Sequence, residues 1–221
     1  MSVLIIGSLG SMGKRFSAIL AWQGVKHVGV DKDTSLTFLN QQLSICDSII
    51  LCTPTQTHYE LLLKLIPLGK PILCEKPITK DLDELAEILE LVTEYKTPFT
   101  MMMQYRLLQP TIHDIDADSY YDYFRTGNDG LIWDTMQIIG LATGRITIKN
   151  QSPVWTCSIN GAALRLSDMD LAYMDFVRKW LEKDKGIEVD LQELYRIHKK
   201  THDIWHKTLG SKYEGSMYDG K

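Results

Sequence analysis

The sequence has no long hydrophobic run. Its apolar stretches, such as Ile49–Cys52 and Leu61–Leu63, fall far short of the ~20 residues a membrane helix needs, so no membrane association is expected. It also lacks a basic segment followed by a long apolar run and a small-residue cleavage site, so no secretory leader is expected and the cytoplasm is the default compartment. Cysteine is sparse. Cys46, Cys52, Cys74 and Cys157 include no C-x-x-C pair, and three of them sit in or beside apolar runs, as buried free thiols would; no metal site is expected. Positive charge is not in excess either: 24 Lys and Arg stand against 28 Asp and Glu, a net charge of −4, which argues against a sequence-independent grip on nucleic acid. His198-Lys199-Lys200 is too short to change that. What remains is an ordinary globular composition, 44% hydrophobic and 24% charged over 221 residues, enough for one large domain or two small ones and without repeats or disorder.

The chain opens on a compact apolar strand, Ser2–Ile6, followed at once by Gly7-Ser8-Leu9-Gly10-Ser11-Met12-Gly13 and a helical pattern through Phe16, Ile19, Leu20 and Trp22. Glycines at such a strand-to-helix junction let the backbone approach a pyrophosphate and leave the first helical N–H groups pointing at it. A second strand, Val25–Val30, ends in Asp31. An acidic residue there, about 20 residues after the turn, can accept hydrogen bonds from a ribose 2′-hydroxyl and repels a 2′-phosphate; that favours NAD, while the neighbouring Lys32 leaves NADP possible. The usual fingerprint is G-x-G-x-x-G, and Ser8 stands where its first glycine belongs, with Gly7 one place earlier.

Phe38–Leu43 reads as a helix and loop, and Asp47–Cys52 as a buried strand stopped by Thr53-Pro54, with Thr55 a candidate cap for a helix over Gln56–Leu65. Gly69-Lys70 leads into a strand over Pro71–Cys74. Asp81 opens a periodic helix with Leu82, Leu85, Ile88, Leu89 and Val92 on one face, and Pro98–Met103 is a further strand. Strands alternating with helical patterns predict a Rossmann-type doubly wound parallel sheet over residues 1–104. In such sheets ligands bind beyond the strand carboxyl ends, where Glu75, Lys76 and Pro77 fall; the pair Glu75-Lys76 reads either as part of a site or as a solvated turn.

Together these segments resemble the first domain of the Gfo/Idh/MocA oxidoreductases, which act on sugars, inositols and related compounds with a nicotinamide dinucleotide. The resemblance is carried by the Gly7–Gly13 turn, Asp31, Thr53-Pro54 with His58, Gly69-Lys70 with Glu75-Lys76-Pro77, and Tyr105-Arg106 with Pro110. It implies a dinucleotide site formed by Gly7, Gly10, Ser11, Met12, Gly13, Asp31, Lys32, Cys52, Thr53, Pro54, His58, Glu75 and Lys76, with Lys76 also catalytic at the reacting oxygen. His58, taken by itself, reads more readily as a helix-start histidine that hydrogen-bonds the turn than as a catalyst.

Residues 105–221 read as a smaller α+β domain with a mostly antiparallel sheet, its last helices long enough to pack back on the first domain. Strands are expected at Asp118–Phe124, Arg145–Lys149, Val154–Ile159 and Ala163–Leu166. Gly127 and Gly130 bracket a turn before a helix over Leu131–Ala142; another helix starts at Asp168 or Asp170, a last one spans Leu191–Trp205, and a frayed tail begins at Gly210. Gly130–Gly144 is similar to the family's G-x-x-x-D-x-G-x-H helix. Asp134 matches its aspartate and is a second catalytic candidate, while Ile138 occupies the place of its catalytic histidine. Tyr105, Arg106 and His113 are candidate substrate residues. The expected activity is hydride transfer between nicotinamide and a sugar-like or cyclic polyol or ketone substrate, the partner a small molecule, with a homodimer possible. The alternatives are a dinucleotide-binding sensor or structural partner without turnover, and a reductase of an imine or conjugated bond.

Overall fold

The computed structural model describes residues 1–108, 112–118, 133, 136–149 and 156–210. Two compact units are distinguished, Met1–Gln104 with Leu171–Leu191, and Tyr105–Asp170 with Gln192–Lys221.

The first unit is built on five parallel strands, β1 (Ser2–Ile6), β2 (Lys26–Val30), β3 (Ser48–Leu51), β4 (Ile72–Cys74) and β5 (Phe99–Met101), in the order β2-β1-β3-β4-β5. The order reverses beside β1. Ile5 pairs with Ile50, Ile50 with Leu73 and Leu73 with Thr100, so four strand carboxyl ends finish in one row. The central strands read as unbroken apolar runs, without alternation, because helices cover both faces of a parallel sheet. Val3 to Ile5, Ile49 to Leu51 and Ile72 to Cys74 are accordingly buried almost completely. Each such Val, Leu or Ile contributes about 1.5–3 kcal/mol relative to exposure.

The covering helices are α1 (Ser11–Trp22), α2 (Leu36–Ile45), α3 (His58–Leu65) and α4 (Leu82–Tyr95). Asp81 starts α4 by accepting from the amides of Asp83 and Glu84 at 2.8 and 3.1 Å, which satisfies two donors that have no partner inside the helix. Ser35 does the same for α2 through Phe38 N, and α2 is longer than the helix-and-loop expected from its polar sequence. Thr55 does not cap α3. It begins a 3₁₀ turn, Thr55–Thr57, and the helix proper starts at His58, because Pro54 sets an extended residue just before the turn. The strand expected at Pro98–Met103 is confined to its middle, Phe99–Met101.

In the second unit the sheet order is β7-β6-β8-β9, with β6 (Ile115–Asp118), β7 (Ile146–Lys149), β8 (Thr156–Ile159) and β9 (Ala162–Ala163). β6 pairs parallel with β7 and antiparallel with β8, and β8 antiparallel with β9. The expected architecture, a Rossmann-like parallel sheet and a smaller, mostly antiparallel one, is present. Several boundaries differ. The strand expected at Asp118–Phe124 is found upstream, where Ile115 and Ala117 alternate into the core; residues 119–124, the Gly127–Gly130 turn and the tail from 211 lie outside the described residues. The helix expected through Ala142 is described at Trp133 and at α5 (Met136–Ile139), and it closes there with Leu141 N bonded back to Ile138 O. A Cβ on Gly140 would lie 2.4 Å from Ile197 Cγ2, so this turn and α7 (Leu191–Gly210) meet at a glycine. Helix α6 (Leu166–Leu181) begins before Asp168 and Asp170; Asp168 instead sits in its first turn and takes Arg165 Nε at 2.9 Å. Leu166 is therefore helical, not the end of a strand.

Candidate functional site

The row of strand ends in the first unit carries most of the residues singled out above. At the end of β1 the chain turns through Gly7 at φ +95°, a region that favours glycine. A Cβ there would lie 2.8 Å from the carbonyl carbon of Cys52, so the β1 and β3 ends approach backbone to backbone. Gly13 serves the next contact: a Cβ on it would fall 2.2 Å from Gly7 O, and only glycine lets α1 start so close to the turn. Gly10 is the cap residue, with no side-chain cap and no acidic group in the first helical turn. Ser11, Met12 and Gly13 precede the first helical bond, Lys14 N to Gly10 O at 3.0 Å, so the positive end of the macrodipole stands over a loop stripped of side-chain bulk. This is the arrangement a pyrophosphate requires, and the residues fit a dinucleotide on that ground.

The serine in the fingerprint has a structural counterpart that sequence reading missed. A Cβ on Gly29 of β2 would lie 2.5 Å from Ser8 Cβ. Gly29 makes the room that Ser8 needs, and its signal was a glycine inside a strand, which marks close approach. Ser8 N and Gly7 N both donate to Val30 O, at 3.1 and 2.9 Å, so the longer turn is pinned to β2.

Asp31 crosses to the same turn. Its Oδ2 accepts from Leu9 N at 3.0 Å and its Oδ1 from Lys32 N at 2.9 Å. A carboxylate has about four acceptor positions, so these bonds leave capacity for a sugar hydroxyl. Lys32 itself is exposed. Cys52 is different: its thiol is turned toward Ile6 O and Gly7 O at 3.3 and 3.7 Å, and burial, with the nearby Glu75 and Asp31 carboxylates, pushes it up to about 12. Its side chain packs under the turn and presents no thiolate.

The β3 and β4 ends are joined by His58. The ring is 1% exposed; its Nε2 lies 2.8 Å from Thr53 O and its Nδ1 3.0 Å from Pro77 O. One imidazole thus ties the Thr53-Pro54 turn to the turn that follows Lys76. A neutral ring has a single N–H for these two carbonyls. Burial lowers the pKa of His58, while the carbonyls of Thr53, Pro77 and Ile78 oppose that shift. Thr57 Oγ1 adds a second tie, 2.8 Å from both Thr53 Oγ1 and Pro54 O, another contribution that the sequence pattern did not single out. At the end of β4, Glu75 N bonds Leu51 O at 2.8 Å, and Glu75 Oε2 accepts from Lys76 N at 3.1 Å. Glu75 is buried and Lys76 half-buried, with a cis Lys76–Pro77 peptide.

The other candidates belong to the second unit. Tyr105 is buried, with its hydroxyl 3.1 Å from Met169 Sδ. Arg106 is half-buried. His113 is exposed, with Nδ1 2.9 Å from Thr143 Oγ1. Asp134 lies outside the described residues. Ile138 is fully buried in the apolar cluster of this unit, with Ile115, Ile139 and Ile159.

The fold and the glycine turn define a dinucleotide-fold protein, and the comparisons narrow the class. Residues 23–103 match the model of the Gfo/Idh/MocA oxidoreductase family, NAD-binding Rossmann fold. Over that stretch the chain is similar to the NAD-binding domain of this family. An inositol 2-dehydrogenase of Rhizobium meliloti is 40% identical over 50 residues, 23% of this chain and 15% of that protein. One from Leifsonia xyli is 31% identical over 81 residues, 34% of this chain and 24% of its own length. The matched stretch therefore spans less than a quarter of either curated relative. Solved structures extend the likeness of fold to both units. A myo-inositol dehydrogenase from Corynebacterium glutamicum aligns with a TM-score of 0.61 at 13% identity, covering 91% of this chain and 94% of that one. The WlbA (WbpB) dehydrogenase from Thermus thermophilus, solved with NAD and UDP-GlcNAcA, aligns with a TM-score of 0.66 at 13% identity, covering 93% and 94%. Among the described residues no helix is long and apolar enough to cross a membrane.

Proposed function

We propose that this protein is an NAD(P)-dependent oxidoreductase acting on a sugar-like or cyclic polyol or ketone substrate, with Lys76 at the reacting oxygen. The observation that carries the proposal is the His58 tie, 2.8 Å to Thr53 O and 3.0 Å to Pro77 O. It fixes the crevice turn of β3 and the lysine turn of β4 to each other beside a glycine turn open to phosphate. A site whose parts must keep register needs such a support.

Bound there, nicotinamide would supply or accept the hydride. The chain must then do the rest: hold the pyrophosphate on the Gly7–Gly13 turn, hold the ribose at Asp31, and manage a proton at the substrate oxygen. Lys76 is the group for that last task, either exchanging the proton or stabilising the developing alkoxide as a cation. Asp134 is its proposed partner. Asp31 supports NAD over NADP, with Lys32 leaving NADP accessible. The substrate class draws support from the names of the relatives, inositol 2-dehydrogenases among them. A homodimer is the proposed assembly.

One observation favours a second reading. Ile138 stands where the family resemblance calls for a histidine, and it is core. On that reading the chain binds dinucleotide without turnover, as a sensor or as the structural partner of an active homologue. Fluorescence titration with NADH and NADPH, alone and then with pooled inositols, sugars and nucleotide sugars, separates the two. Binding followed by cofactor oxidation in one pool is the expected result. Binding with no turnover in either direction, with NAD and NADP also tried, would favour the sensor; no binding would overturn both.

A further inference from the structure

We propose that His202 and His206 form a chelating site for a borderline divalent transition-metal ion, with Cu²⁺ held most tightly and Zn²⁺ and Ni²⁺ less so. Both lie on α7 one turn apart, the spacing at which two helical histidines share a metal. Their Nε2 atoms are 3.0 Å apart and their ring centroids 4.2 Å. The rings converge through the nitrogens that ligate.

The convergence is set by the packing of the helix. Leu194, Ile197 and Thr201 are fully buried, and Ile197 occupies the space beside Gly140, so the rotation of α7 is fixed. His198 faces the interior with them and keeps its Nδ1 2.9 Å from Leu194 O. His202 and His206 fall on the outward strip, half-buried and exposed respectively. Trp205 braces them, its ring 5.7 Å from that of His202 and 4.7 Å from that of His206.

At 3.0 Å one ring donates to the other, so a single proton sits between two nitrogen lone pairs. A divalent ion takes the place of that proton once the donating ring carries its N–H on Nδ1, so both imidazoles bind as neutral ligands through Nε2. Two Zn–N bonds of ~2.05 Å at a tetrahedral angle put the nitrogens about 3.3 Å apart, a few tenths of an ångström from the observed spacing. Imidazole suits Cu, Ni and Zn, and the ordinary order of stability places Cu²⁺ first. Among the described residues no third His, Cys, Asp or Glu completes the set; Asp203 is taken by Lys199 at 3.3 Å. The remaining positions belong to water or to an external anionic ligand. The scarcity of cysteine, which argued against a metal centre, has no bearing on a site made of imidazole.

Trp205 supplies the readout. Titration of the full chain with CuCl₂, followed by tryptophan fluorescence, should give saturable quenching at one equivalent, reversed by EDTA and by excess Zn²⁺. His206→Ala and His202→Ala should each weaken the binding by about tenfold or more, because the second imidazole binds at the high effective concentration of an intramolecular ligand. His206→Gln, which keeps a polar side chain and removes the ligand, should behave like the alanine variant, and circular dichroism establishes that each variant is folded. Equilibrium dialysis against Zn²⁺ gives the same ranking without fluorescence. Quenching that does not saturate, or that is unchanged in the folded single variants, would overturn the proposal.

Discussion

The two units treat their conspicuous residues in opposite ways. At the strand ends of the first, polar and glycine positions are each backed by a packing reason: Gly13 by Gly7 O, Gly29 by Ser8, His58 by two carbonyls. In the second, Ile138, where the family resemblance implies an imidazole, is fully buried among aliphatic side chains. The contrast teaches that the strand-end turns of the first unit are held in a geometry that fits a dinucleotide, while the second unit has aliphatic packing at the position where the resemblance implies a histidine. Lys76 is the proposed source of proton handling.

The largest expected effect tests that division directly. Lys76→Ala should lower turnover by about 10²- to 10⁴-fold, the usual worth of a positioned proton-transfer group, with dinucleotide affinity nearly unchanged by fluorescence titration. Activity that survives would remove Lys76 from the reacting oxygen. The converse experiment puts the histidine back. Ile138→His buries an imidazole in an apolar cluster, so it should destabilise the protein by about 2–4 kcal/mol in urea unfolding and give no gain in turnover. A stable, faster variant would mean that the position still faces a site.

Buried imidazoles allow a comparison by pH. His198 is 1% exposed, and burial lowers its pKa to about 4 despite the bond to Leu194 O. Its folded value lies below its unfolded value of about 6.5, so between those limits the unfolded chain binds more protons. Stability is fully present above about pH 6.5 and falls as the pH drops toward 4, by about 3 kcal/mol from this group. His58 is shifted in the same direction. Urea midpoints measured from pH 7.5 to 4.5 should decline in the wild type and decline less in His198→Leu; an unchanged slope would mean that the ring is solvated.

A smaller effect sharpens the account of the turn. Gly13→Ala forces a methyl against Gly7 O, 2.2 Å away, and should cost about 1–3 kcal/mol together with dinucleotide binding. Gly24, at φ +69° with no atom within 4 Å of its missing Cβ, is the control. Gly24→Ala should cost about 1 kcal/mol through backbone strain alone and leave binding intact. Equal losses of binding would mean that the turn does not meet the ligand.

Much of the first unit was legible because its signals are local. Apolar runs of strand length, a glycine turn, Asp31 and the Asp81 cap each announce themselves within a few residues. What escaped reading was pairwise across the sheet: Gly29 has meaning only once β2 lies beside β1, and Thr57 only once it reaches Thr53. His58 could be seen to face a turn, but not to join two turns, since Pro77 is reached through the pairing of β3 with β4. The second unit was harder because its strands are short and its polar segments carry no clear period. Ala163–Leu166 reads as extended, yet Leu166 opens α6, with Asp168 in its first turn.

The finest test concerns Asp31. Its carboxylate already accepts from Leu9 N at 3.0 Å, so Asp31→Ala removes a support of the glycine turn as well as the proposed ribose acceptor. The two losses have different signatures. A loosened turn weakens NAD and NADP alike, because both carry the same pyrophosphate. A lost 2′-hydroxyl acceptor weakens NAD alone, while the loss of negative charge relieves repulsion of the 2′-phosphate. Asp31→Asn keeps an acceptor for Leu9 N and removes the charge, so it isolates the second effect. We expect Asp31→Ala to weaken NAD by about tenfold, or ~1.4 kcal/mol, and NADP by less, with Asp31→Asn narrowing the preference while holding the turn. Equal weakening of both cofactors in both variants would confine Asp31 to its bond with Leu9, and Lys32 would then be the next residue to test for the choice between them.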